Sequence, residues 1–426
     1  MARFLVSPAT SDGHFNPFVP IVRRLVECGH EVAWLAGEGY REKVERTGAR
    51  FHPYPRQIDQ TVVGFDALFP EWHKMRNGLA QTRYMVSVTF AATPTILHEI
   101  DTLLASFPAD VLVSDTVVVA PYLKTELGGP PSAGICVNPL VLASRDLPPP
   151  GLGLLPNHTL AGRLRDRLLS WLVDYVLTRS MTVQYNQLRR SLGLAPLEGP
   201  FTQTIWSHVP LVMQLSTPAF EFPRSDLPRN VHFVGPILTE PQPGFRPPPW
   251  WPDLKAGRPV VLVNQGTLAV DPADLIRPAI EALKDEQMLV VAVPVKPGEL
   301  GELPDNVRAE LFIPFRELLP YVDVMVTNGG YGGTQSALSQ GIPLVVAGVT
   351  EDKMEVAARV EWSGAGINLH SNRPAPAAIR KAVREVFANS AYRTQARRIQ
   401  ADFARYDAPA GVMALLEDLA RPPSPS

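Results

Sequence analysis

Short apolar runs alternate with helix-period stretches along this chain, and the series occurs twice. A strand that reaches its neighbour through a helix pairs with it in parallel, so the alternation dictates layered α/β domains. The first series opens with RFLVS (3–7), an amphipathic stretch over 17–29, HEVAWLA (30–36) and YREKVERTG (40–48). Asn16 fits the N-cap of its first helix, Pro17 the first helical position and Gly29 the stop. The series resumes with ADVLVSD (109–115), a helical pattern over 118–128 and PSAGICV (131–137), then HVPLVMQLS (208–216) and VHFVG (231–235). The second series runs PVVLVNQG (259–266), a helix over 272–284, MLVVAV (288–293), VDVMVTN (322–328) and IPLVVAG (342–348). Helices over 351–362, 375–388 and 391–420 follow it.

Between the two series lies EPQPGFRPPPWWPDLKAG (240–257), too rich in proline for either regular element. It reads as an interdomain linker. The expected division is therefore 1–235, a linker over 236–257, a second domain over 258–405, and a helix and tail over 406–426 packing back toward the first domain. Two stretches interrupt the first domain. They carry Phe65, Phe69, Trp72, Met75, Tyr84 and Phe90, then Leu168, Leu169, Trp171 and Leu172, at helical spacings. Such residues either pack helices against the sheet or form the wall of an apolar pocket.

The charge balance narrows the partners. The formal net charge is −2 and no basic tract stands out, which argues against a nucleic-acid partner. The two cysteines, Cys28 and Cys136, fit a reducing, cytoplasmic setting and rule out a disulfide framework or a thiolate metal cluster. The start lacks the apolar core of a signal peptide, and no run of about 18 apolar residues predicts a spanning helix.

In open parallel sheets, ligands sit outside the carboxyl ends of the strands where strand order reverses. Candidate groups cluster at those ends. NGGYGG (328–333) follows an apolar run and precedes a helix opened by Thr334, Gln335 and Ser336. Glycine permits close backbone approach, and exposed amides at a helix N-terminus suit a phosphate. A tight structural turn is the competing explanation. The loop matches neither GxGxxG nor the Walker pattern. Asn264-Gln265-Gly266-Thr267 ends the first strand of the same series. His14, in SDGHFNP, and Asp115 both follow strands of the first domain. An imidazole there can act as a base near neutrality, with the carboxylate orienting it. No serine in a nucleophile elbow completes a hydrolase triad. Glu351, Asp352 and Lys353 follow IPLVVAG, either as the acidic start of a helix or as polar groups reaching a sugar.

Together GHFNP, VNQGT, the 327–343 block and GIPLVVAGVTEDK…ARVEWSGAG resemble the two-domain GT-B glycosyltransferases. The resemblance is to the family of UDP-glucuronosyltransferases, plant glucosyltransferases and bacterial macrolide glycosyltransferases, and it covers nearly the whole chain. It implies two Rossmann-like domains facing a cleft, with a nucleotide-sugar held by the C-terminal domain and a small apolar acceptor by the N-terminal one. It implies inversion at the anomeric carbon without a metal or other cofactor. His14 matches the family's base and Asp115 its acidic partner. Thr267, Asn328, Gly329, Gly330, Gly332, Gly333, Thr334 and Ser336 fall on the donor site. Phe312 falls where members stack a Trp on the base, and Asp352 and Lys353 on the Asp-Gln pair that holds sugar hydroxyls. Phe15, Phe65, Phe69, Trp72, Met75, Phe90 and Asn138 are the candidate acceptor contacts.

The departures from the family pattern shift the expected donor. Asn328 replaces a histidine, Lys353 a glutamine, and Ser336 the glutamate that grips ribose hydroxyls. Deoxyribose lacks the 2′-OH and needs no such carboxylate, so a dTDP-deoxysugar is favoured, with a UDP-sugar as the alternative. A nucleotide-sugar epimerase is opposed by the aromatic-rich 57–100 stretch, and a silent partner protein by His14 and Asp115. An NAD enzyme is opposed by a first turn without the three-glycine fingerprint. Monomer and homodimer stay open.

Overall fold

The chain is described by a computed structural model over residues 1–75, 78–239, 244–266, 271–294 and 300–421. Its N-terminal sheet contains β1 (Arg3–Val6), β2 (Glu31–Ala36), β3 (Arg50–Pro53), β4 (Val111–Asp115), β5 (Ser132–Cys136), β6 (Leu211–Gln214) and β7 (Val231–Phe233). These seven strands lie in the order β3-β2-β1-β4-β5-β6-β7, and every pairing is parallel. The C-terminal sheet contains β8 (Val260–Asn264), β9 (Leu289–Val293), β10 (Val307–Ala309), β11 (Val324–Thr327), β12 (Leu344–Val346) and β13 (Gly366–Asn368). Its six strands run β10-β9-β8-β11-β12-β13, again all parallel. Strand order reverses between β1 and β4 in one sheet and between β8 and β11 in the other.

The central strands are continuous apolar runs because helices cover both faces. Phe4, Leu5, Val261, Leu262, Val324 and Met325 are fully buried. Three strands have no counterpart among the expected runs: β3, β10 and β13. Each lies at or beside a sheet edge, is three or four residues long and is only partly buried, so it lacks an apolar signature. Asn16 does not cap the following helix; Pro17 takes that place and Asn16 ends a short turn over Asp12–Phe15. The expected single helix over 391–420 is two, Ser390–Phe403 and Ala408–Leu419. Asp407 starts the second by accepting from the Ala410 amide, and Pro409 in its first turn cannot continue the first.

The last helix returns to the N-terminal domain. Its Val412 and Leu416 are buried among Phe18, Val22 and Leu25. A second crossing occurs earlier, where Phe220, after β6, is fully buried in the C-terminal core beside Leu254 and Phe403. Beside it, Arg359 on helix Lys353–Ser363 is buried. Its guanidinium contacts Glu221 Oε2 at 2.8 and 2.9 Å and Glu355 Oε2 at 3.0 Å, with Phe222 packed 4.6 Å below. Glu355 Oε1 accepts from the amides of Gly151 and Gly153, and Glu221 Oε1 from the Leu140 amide. Burial lowers a guanidinium's pKa, but Glu221 and Glu355 outweigh it and hold Arg359 above the ordinary value. This network joins the domains directly behind the strand ends.

Removing one partner of a buried pair leaves an uncompensated charge. Arg359→Ala is therefore expected to destabilise the protein by about 3–5 kcal/mol in urea denaturation. A loss comparable to that of an exposed ion pair would show that the interface does not rely on it.

Candidate functional site

Both points of strand reversal open onto the space between the domains. From the N-terminal sheet come His14, in the short helix Asp12–Phe15 after β1, and Asp115, the last residue of β4. Asp115 is fully buried and fixed by backbone donors: Oδ2 accepts from the Ala9 amide and Oδ1 from the Val117 amide, both at 2.8 Å. Those two bonds aim the carboxylate at the β1 loop. His14 Nδ1 stands 3.3 Å from Asp115 Oδ2, and its alignment is too poor for a well-formed hydrogen bond. Burial depresses the imidazole pKa, but Asp115, with Asp352 of the other domain adding to it, outweighs burial and leaves His14 above 6.5. Burial also raises the Asp352 carboxyl above its usual range, opposed by Lys353 and His14.

The C-terminal domain contributes the glycine loop. The strand β11 ends at Thr327 and the helix Tyr331–Leu338 begins four residues later, with Gly330 at the N-cap and no side chain capping it. The first-turn amides of such a helix have no acceptor within it. Gly329 has φ +88, and a Cβ there would lie 2.9 Å from Val346 Cγ1. A Cβ at Gly348 would collide with the Asn328 carbonyl. The loop is thus packed tightly from behind by β12 and Lys353, while Cβ atoms at Gly330 and Gly332 would meet nothing. This combination, closed behind and open in front, is what an anion cradle needs. Thr334 Oγ1 is buried without a hydrogen-bond partner among the described residues.

Several side chains sit differently from expectation. Asn328 is buried and its amide donates to Gln265 O, so it stitches the two strand-end loops together rather than standing free. Ser336 is buried and its hydroxyl bonds to Gly332 O at 2.8 Å. Lys353 is buried and ion-paired with Glu351, which holds a left-handed backbone (φ +54). The cation expected near the sugar is therefore neutralised by its own neighbour. Phe312 is 65% exposed, and Thr267 lies outside the described residues.

The acceptor candidates divide. Phe15 is 1% exposed and sandwiched between Trp34 and Tyr40 at 4.8 and 3.9 Å, so it is a core residue. The short helix that turns His14 outward turns the adjacent ring inward. Phe90 likewise packs in the core, against Tyr185 and Phe201. Phe65, Phe69 and Trp72 form a ring cluster with centroids 4.9–6.4 Å apart, and Met75 follows half-buried. The preceding segment is tied to the loops after β1 and β2, where Thr10 Oγ1 accepts from Gln60 N and Asp59 Oδ2 from Glu38 N. The cluster therefore sits at the same sheet edge as His14. Asn138, half-buried after β5, offers its carbonyl to Gln214. Sequence reasoning missed Tyr331, whose hydroxyl bonds to Glu221 at 3.1 Å and accepts from Gln214 at 3.3 Å across the domains. An aromatic between four glycines was its only signal.

Two parallel-sheet domains meeting at their strand ends, with the His14–Asp115 pair at the edge of one sheet and the glycine loop at the edge of the other, define a GT-B architecture. The chain belongs to the GT-B natural-product glycosyltransferase family, and acts as a glycosyltransferase of natural-product biosynthesis. Residues 279–419 match the erythromycin biosynthesis protein CIII-like C-terminal domain. The chain is 42% identical over 418 residues to 4′-demethylrebeccamycin synthase of Lentzea aerocolonigenes, covering 98% of this chain and 99% of that one. It is 32% identical to UDP-glycosyltransferase 2 of Phaeomoniella chlamydospora, covering 96% and 93%. Among solved structures, the calicheamicin glycosyltransferase CalG4 shares the fold at a TM-score of 0.75, with 24% identity and full coverage of both chains.

A histidine pKa raised in the native state adds stability below the unfolded value of about 6.5, and that stability is lost as pH rises through the folded value. The His14 imidazole is expected to titrate above 6.5 by NMR. In Asp115→Asn burial loses its main opponent, so the midpoint moves down. An unchanged midpoint would show that Asp115 does not set it.

Proposed function

We propose that this chain is an inverting glycosyltransferase that moves a dTDP-activated deoxysugar onto a hydroxyl of a small apolar natural product. The observation that carries the reading is His14, 3.3 Å from Asp115 on one domain and near enough to Asp352 on the other for that carboxylate to act on its charge. A base in that position lies within electrostatic reach of both half-sites. The acceptor oxygen attacks the anomeric carbon from the face opposite the diphosphate. Its proton passes to His14 Nε2, and Asp115 stabilises the imidazolium through Nδ1. The bond from the anomeric carbon to the diphosphate oxygen breaks, and the oxygen keeps the electron pair. The developing charge meets the amides of Gly330–Gly333 at the start of helix Tyr331–Leu338. Those neutral donors take the part that a metal ion plays in other diphosphate sites, so the reading is metal-independent. Among the described residues, no group of three or more His, Cys, Asp or Glu is arranged to hold a metal ion.

Acceptor binding falls to the half-buried rings of Phe65 and Trp72, which offer ring faces rather than charges to an apolar or aromatic aglycone, with the buried Phe69 packed against both. Asp352 is the group proposed to hold a sugar hydroxyl. For the nucleotide, Ser336 spends its hydroxyl on Gly332 O and leaves no carboxylate for a ribose pair, which supports dTDP. The second reading, a UDP-sugar donor, is favoured by the 32% identical relative named a UDP-glycosyltransferase.

His14→Ala is expected to lower turnover by about 10²–10⁴-fold while the thermal shift given by dTDP stays unchanged. Near-normal turnover would remove His14 from the mechanism. At matched concentrations, dTDP should raise the melting temperature more than UDP; the reverse order would transfer the assignment to the second reading.

A further inference from the structure

We propose that the helix Leu160–Leu172, with the turn Val173–Leu177 that prolongs it, docks this enzyme on an anionic lipid surface. Leu160, Leu164, Leu168, Trp171 and Tyr175 recur at helical spacing and are 87, 70, 64, 56 and 53% exposed. Leu168 and Trp171 therefore do not pack against the sheet, one of the two roles open to them from spacing alone. The opposite side of the helix turns inward instead, where Gly162, Asp166 and Val173 are buried. A stripe this regular spans about 24 Å at 1.5 Å per residue, too large to be scattered surface hydrophobicity. Nothing about it depends on the donor or acceptor reading.

Charge selects the occupant. Arg163, Arg165 and Arg167 flank the stripe and are exposed, the first and last on one side and Arg165 on the other. The segment's two acids point inward. Asp166 holds Arg165 at 2.7 Å, and Asp174 accepts from Thr202 and, at 2.7 Å, from Gln203. Neither Arg163 nor Arg167 has an ion-pair partner among the described residues. The outward face is thus apolar along its middle and cationic along the margin that carries Arg163 and Arg167, while Arg165 on the other margin is paired with Asp166. That is the pattern of a helix lying in the headgroup plane, with leucines below it and guanidiniums on lipid phosphates. Trp171 and Tyr175, stacked at 6.5 Å, are the ring types that favour such an interface. A second copy is the poorer occupant, since a two-fold contact would set these arginines against their own images. No helix of the described residues is long and apolar enough to cross a membrane, so the attachment is peripheral.

The full chain would be sedimented with phosphatidylcholine vesicles and with the same vesicles carrying one-third phosphatidylglycerol. Binding to the anionic vesicles should exceed neutral binding by about tenfold or more and weaken with salt. Leu164→Glu/Leu168→Glu should abolish it, and Arg163→Glu/Arg167→Glu should weaken it by at least about thirtyfold. Unchanged circular dichroism spectra and melting temperatures in both variants certify their folds. Equal binding to both vesicle types would overturn the proposal, as would binding retained in both variants. So would a dimer, seen by sedimentation velocity without lipid, that Leu164→Glu/Leu168→Glu dissolves.

Discussion

Arg359 is where the two halves of this molecule become one. A guanidinium with 1% exposure must be paired on every side, because an isolated charge in that position costs several kcal/mol. Glu221 comes from the N-terminal sheet's own chain, after β6, and Glu355 from the same helix as Arg359. Glu355 in turn holds the Gly151 and Gly153 amides. Tyr331, at the first position of the glycine-loop helix, bonds to the same Glu221. The network therefore sets the height of the glycine loop relative to the N-terminal strand ends. An apolar contact would tolerate sliding; a set of directional, charge-assisted bonds does not.

That fixed relation gives the site its electrostatic character. His14 feels Asp115 from its own domain and Asp352 from the other, so its pKa depends on domain placement as well as on burial. The opposing half is nearly charge-neutral at the loop itself. Asn328 is spent on Gln265, and Lys353 is matched by Glu351. What remains to face an anion is backbone amide and helix dipole, which carry no desolvation penalty comparable to that of a buried cation. Glycine at 329 and 348 is the structural condition for this, since a side chain at either would push the loop off β12 and Lys353.

The architecture was readable because burial on both faces turns a parallel strand into a continuous apolar run. β1, β4, β8 and β11 all show it, and they carry His14, Asp115, Gln265–Gly266 and the glycine loop at their ends. The edge strands β3, β10 and β13 were not readable, as half-exposed segments of three or four residues have no distinctive period. Phe15 and Phe90 were misplaced for a related reason. Sequence gives a ring's neighbours along the chain but not the face it turns to, and both rings turn into the core. The Leu160–Tyr175 stripe is the converse: apolar periodicity that spacing alone cannot assign to core or surface, and that faces solvent.

By itself the sequence determined the two parallel sheets, the strand ends at which polar groups gather, and the membership in a glycosyltransferase family. These follow from local pattern and from residues close together in the chain. Tertiary structure alone decided that Asp115 lies 3.3 Å from His14, that Asp352 of the other domain acts electrostatically on the same imidazole, and that Lys353 is already neutralised. It also decided that Glu221 and Arg359 are buried together across the domains. Each of these joins residues through packing rather than through spacing, and a one-dimensional period carries no information about which charge a folded chain will bury against which.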